Sequence, residues 1–133
     1  MLGERPANSR EEVNMINNSS KIFFTHKKRE TLDYYNKLGF TVNYDFGFVE
    51  REGLEMIFHE TIIGNDHSNY PVYGSNALDI YCMVSDTEEL YNELIDKGAR
   101  IHNQLKITEY NMKEFAIIDP AGFTIGFGEA INE

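Results

Sequence analysis

One plan is written twice in this chain: a strand, a helix, then three more strands. The first helix is predicted over residues 28–38, with Leu32, Tyr35 and Leu38 at helical spacing and Lys28, Arg29, Glu30, Asp33 and Lys37 on the wet side. Gly39 follows the last apolar position, where a left-handed residue closes a helix at little steric cost. In the second copy Ser85 or Asp86 caps a helix whose first turn carries Glu88 and Glu89, favoured there by the macrodipole. Its stripe is Leu90, Tyr91, Leu94 and Ile95, and Gly98 ends it. Gly39 and Gly98 lie 59 positions apart, and the same offset carries Phe23 to Cys82, Leu32 to Tyr91 and Tyr35 to Leu94. Apolar meets apolar each time, so the chain reads as a duplicated α+β domain.

The strands are predicted at 22–25, 40–44, 46–51 and 54–60 in the first copy, and at 78–84, 100–107, 112–118 and 123–129 in the second. The stretch 78–84 alternates, with Leu78, Ile80, Cys82 and Val84 on one face and Asp79, Tyr81 and Met83 on the other. Glu52-Gly53 marks a hairpin turn, and Asp119-Pro120-Ala121-Gly122 is a strong turn before the last strand. Periodicity is lost over 61–76, a segment of turn formers that reads either as a lid or as a plain crossover. Residues 1–20 carry only Val13, Met15 and Ile16 as apolar anchors and read as a flexible N-terminal arm. The single domain is then 21–133, with modules at about 21–63 and 77–130.

Composition sets the class of partner. Twelve basic against 22 acidic side chains give a formal charge of −10, which repels nucleic-acid phosphates and is compatible with a cationic ligand. No apolar run is long enough to cross a membrane, the first 20 residues lack the apolar core of a signal peptide, and one cysteine makes no disulfide framework. Cytoplasmic residence follows as the expectation.

Three motifs, in order, resemble a known family. Asp33-Tyr34-Tyr35-Asn36-Lys37-Leu38-Gly39-Phe40 is similar to the "FYxxLGF" helix end of the glyoxalase / bleomycin-resistance / extradiol-dioxygenase superfamily, the vicinal oxygen chelate fold. Val84-Ser85-Asp86, followed by Leu90 and Gly98-Ala99, resembles its second-half signature. Asp119-Pro120-Ala121-Gly122, followed by Ile125 and Phe127-Gly128-Glu129, resembles its "DPxGxxxxFxE" ending. The resemblance covers about residues 20–130. It implies two βαβββ modules forming curved mixed sheets around a cavity, and a homodimer. Fold does not fix function, so the site is argued separately.

The resemblance puts the family's four metal-ligand positions at about Ser20, Glu55, Asp79 and Gly126. Serine is a poor ligand and glycine has none to offer, which falls short of three protein ligands. His59, two residues beyond the Glu55–Ile57 step, shares the face of Glu55; a divalent metal, if any, would rest on Glu55, His59 and Asp79. No cofactor is otherwise expected. By strand parity the ligand-binding wall includes Phe24, Glu55, Ile57 and His59 from the first module. Asp79, Tyr81 and Met83 come from the second. An aromatic and apolar wall with carboxylates suits a cationic or aromatic small molecule. The reading is therefore a small-molecule binding protein of the bleomycin-resistance type. The alternative is a metal-dependent lyase, isomerase or dioxygenase with an atypical site.

Overall fold

A computed structural model describes residues 15–64 and 66–132. The expected N-terminal arm lies, over residues 1–14, outside the described residues; Met15 to Ser20 are exposed. The first module runs β1 (Lys21–Thr25), α1 (Lys28–Lys37), β2 (Thr41–Asn43), β3 (Phe48–Arg51) and β4 (Leu54–Glu60). A single helical turn, α2 (Tyr70–Tyr73), interrupts the connection. The second module runs β5 (Ile80–Met83), α3 (Thr87–Asp96), β6 (Arg100–Ile107), β7 (Met112–Ile118) and β8 (Thr124–Ala130). The two four-stranded sheets have orders β1-β4-β3-β2 and β5-β8-β7-β6. In each, the strand before the helix pairs in parallel with the last strand, and the other pairs are antiparallel. This is the α+β plan that the repeat predicts.

The helices begin and end for local reasons. Asp86 accepts from the Glu89 backbone N–H at 3.1 Å as N-cap of α3, while Gly39 and Gly98 take φ of 94° and 96° just past α1 and α3. The β2 strand is shorter than the pattern predicts, because residues 44–47 turn on Gly47, at φ 79°. A Cβ on Gly47 would overlap the Phe58 carbonyl oxygen, so the chain can bend here only without a side chain. Gly47→Ala is expected to lower the unfolding free energy by about 2 kcal/mol or more, read by urea denaturation.

Both modules bury their helix-side faces in one shared core. Phe23, Tyr35 and Phe58 come from the first module and Phe115, Ile117 and Phe127 from the second. The Phe23 and Phe123 rings, with centroids 4.2 Å apart, mark the seam. Among the described residues, polar contacts cross it at three places. The Tyr35 hydroxyl donates to Asp119 Oδ2 at 2.9 Å, the Arg100 N–H donates to the Tyr34 hydroxyl at 3.0 Å, and Arg51 makes a bidentate pair with Glu93. Since each sheet buries the face its helix covers, the opposite faces stay open to solvent. Ile22, Phe24 and Phe48 are 52%, 51% and 47% exposed, and Tyr81 and Met83 are 43% and 66% exposed. No helix of the described residues is long and apolar enough to cross a membrane.

Candidate functional site

The strand registers fix which positions of the two modules correspond. Ile22 stands opposite Ile57 in the first sheet, and Tyr81 opposite Gly126 in the second. Tyr81 is the repeat partner of Ile22, so Gly126 corresponds to Ile57. The counterpart of Glu55 is therefore Thr124, two residues earlier than the sequence alignment placed it. The four corresponding positions are Ser20 with Glu55, and Asp79 with Thr124.

Each of these couples closes on itself. The Ser20 hydroxyl donates to Glu55 Oε1 at 3.0 Å. The Thr124 N–H and hydroxyl both donate to Asp79 Oδ2, at 2.9 and 3.2 Å. Asp79 accepts two further bonds, from the Ser68 hydroxyl at 2.8 Å and the Asn69 N–H at 2.9 Å. The carboxylate is thus held by the connecting segment and by the start of β8. Asp79, expected by parity in the ligand-binding wall, therefore already has partners, two of them in a loop that strand parity cannot see. Asparagine here would face at least one of those donors with another donor. Asp79→Asn is expected to lower stability by about 1–2 kcal/mol, seen as a reduced melting temperature.

The other expected wall residues separate. Phe24 packs its ring on His59, centroids 5.2 Å apart, on the open face of the first sheet. Glu55 stands directly opposite Glu50 in register, an arrangement of like charges that disfavours the empty sheet. Glu55, Tyr81 and Met83 border a groove of about 760 Å³ between the β3–β4 turn, β5 and α3. Phe24 and Asp79 border a smaller hollow of about 390 Å³ beside the connecting segment. Ile57 and His59 border neither. One chain does not gather the seven residues around one cavity.

Among the described residues no three His, Cys, Asp or Glu side chains converge on a point where they could share an ion. Glu55 is bonded to Ser20, His59 lies against Phe24, and Asp79 is tied to Ser68, Asn69 and Thr124. Glu55, His59 and Asp79 do not converge as the three protein ligands of a catalytic metal do. Cys82 offers no substitute, since burial pushes its thiol up to about 11 and leaves a small apolar group.

The connecting segment is anchored to both modules. Burial opposes ionisation of Asp66, yet bonds from Thr25 and His26 hold its carboxyl below the usual range. Tyr70 lies edge-on to His102 at 4.8 Å, and the Ser75 carbonyl accepts from His102 and Asn103 at 3.0 and 3.2 Å.

Sequence reading missed Glu114 and Tyr110. Glu114 stands in register with Gly128 on the open face of the second sheet. It accepts from the Tyr81 hydroxyl on one oxygen and from the Tyr110 hydroxyl on the other, both at 2.7 Å. The alternation Met112, Glu114, Ala116 was the available signal, hidden because Phe115, Ala116 and Ile117 form a continuous apolar run.

This architecture has close structural counterparts. A glyoxalase/bleomycin resistance protein/dioxygenase from Alicyclobacillus acidocaldarius superposes with a TM-score of 0.67 at 17% identity, over 90% of this chain and 96% of that one. The fold is the vicinal oxygen chelate fold. TioX from Micromonospora sp. ML1 aligns with a TM-score of 0.65 at 14% identity, over 87% of this chain and all of that one. A glyoxalase-related enzyme from Clostridium phytofermentans gives 0.62 at 13% identity, over 90% and 98%. No protein-family model and no curated protein matches the chain. At these identities the likeness concerns the vicinal oxygen chelate fold alone, and activity has to come from this chain's own residues.

Proposed function

We propose that this is a non-catalytic small-molecule binding protein, resembling the bleomycin-resistance type, whose pockets are completed by a second copy of the chain. The observation that carries the reading is the pair of open sheet faces. Each exposes aromatic and aliphatic side chains beside carboxylates: Ile22, Phe24 and Phe48 near Glu50 and Glu55, and Tyr81 and Met83 near Glu114. Exposed apolar faces of this kind mark binding surfaces. A flat face becomes a pocket once a second face lies opposite, and a dimer supplies two such pairings. The edge strands β1 and β5 add unpaired backbone that association would cover.

The dimer is tested by sedimentation equilibrium at micromolar protein. A species of twice the 15.4 kDa chain mass is expected, and a monomer throughout overturns the paired pocket. Ligand binding is tested by a thermal-shift screen of cationic and aromatic small molecules. A true ligand at a hundredfold its dissociation constant adds about 2.7 kcal/mol to stability.

A further inference from the structure

The second sheet has a floor that the first lacks. In register across its strands, Tyr81, Gly126 and Ala116 form one row, and Met83, Gly128 and Glu114 the next. The first sheet carries Ile57 and His59 at the positions of Gly126 and Gly128, opposite Ile22 and Phe24. Where one face is bulky, the other is stripped to small residues.

The glycines make room for Tyr81. A Cβ on Gly126 would stand 3.0 Å from the Tyr81 ring and overlap Leu78, and a Cβ on Gly128 would overlap the Tyr81 hydroxyl. The ring therefore lies across β8 and delivers its hydroxyl to Glu114 on β7. Glycine weakens a strand, so two of them placed under one tyrosine serve this reach. Partial burial and the Glu114 carboxylate raise the Tyr81 pKa, which keeps the phenol protonated and donating. Tyr110, 66% exposed, holds the other carboxylate oxygen. Each oxygen keeps a lone pair. Lys106 stands opposite Glu114 in register.

We propose that Glu114, held by the Tyr81 and Tyr110 hydroxyls, is the counter-charge for a planar organic cation, and that it selects this class over anionic ligands. The inference rests on the small-molecule reading above. A fixed carboxylate attracts the charge without having to reorganise, and the exposed Tyr81 and Tyr110 rings that hold it offer cation–π attraction. A carboxylate placed there repels sulfonates and phosphates.

The probes are thioflavin T, a planar cation, and 8-anilinonaphthalene-1-sulfonate, an anion, titrated by fluorescence against the intact protein. Thioflavin T is expected to bind the wild type more tightly than the sulfonate. Glu114→Gln is expected to weaken thioflavin T about tenfold or more, and Tyr110→Leu to weaken it severalfold with the glycine floor untouched. Unchanged thioflavin T affinity in folded Glu114→Gln overturns the role of Glu114, and a loss in Phe24→Ser beside it leaves the pocket reading standing. Equal or tighter binding of the sulfonate overturns the selectivity. Failure of the wild type to bind either dye overturns both readings.

Discussion

Asp119→Ala is expected to lower the unfolding free energy by about 3–5 kcal/mol. Asp119 is fully buried at the turn between β7 and β8. Its Oδ1 accepts from the Ala121 and Phe123 N–H groups at 2.9 and 3.0 Å, and its Oδ2 accepts from the Tyr35 hydroxyl at 2.9 Å. Alanine would leave two backbone donors and one phenol buried without partners, each loss carrying a desolvation penalty of about 1–3 kcal/mol. The Tyr35 bond spans the seam between modules, so the turn and the packing of the halves weaken together. Asparagine keeps an oxygen for the two N–H groups and turns its amide toward the Tyr35 oxygen. Asp119→Asn should therefore fold with nearly native stability near pH 7. Chemical denaturation of both variants checks the pair of expectations, and an Asp119→Ala loss under about 1 kcal/mol contradicts the network.

Much of this architecture is legible in the sequence because its causes are local. The period-3.6 stripes, Gly39 and Gly98, and the Asp119–Gly122 turn locate helices and hairpins from a few neighbouring residues. The strands Leu54–Glu60, Arg100–Ile107 and Met112–Ile118 have the bounds that the pattern predicts. The site is less legible because its causes are distant. Asp79 looks like an inward charge by parity, yet Thr124, 45 positions away, and the Ser68–Asn69 pair consume it. Motif spacing puts the counterpart of Glu55 two residues late, at Gly126, since it does not report the β5–β8 register. Glu114 is not legible because what ties it to the open face is Tyr81, lying over two glycines of a neighbouring strand.

The second large effect is a stability that falls as pH rises toward neutrality. Near-complete burial pushes the Asp119 carboxyl up to about 7, against the pull of its bonds from Phe123, Tyr35 and Ala121. Its ordinary value is 3.8, so between that pH and about 7 the folded state holds a proton that the unfolded state has released. Stability from this group is complete below its unfolded pKa and is lost as pH climbs through the folded one. The loss is on the order of 3–4 kcal/mol across that interval, before other groups are counted. Opposing it at the acid end are Glu93, held low by Arg51 and Lys97, and Asp66, held low by Thr25 and His26 against its burial. Those carboxylates are depressed in the fold, so their contribution disappears as pH falls through their folded values. A maximum near pH 4–5 follows, with stability declining on both sides. Unfolding free energies measured by denaturant from pH 3 to 8 should trace that dome. In Asp119→Asn the descending limb above pH 5 should flatten while the acid limb stays. An unchanged slope between pH 5 and 7 in that variant would show that Asp119 is ionised throughout, and that its three donors outweigh its burial.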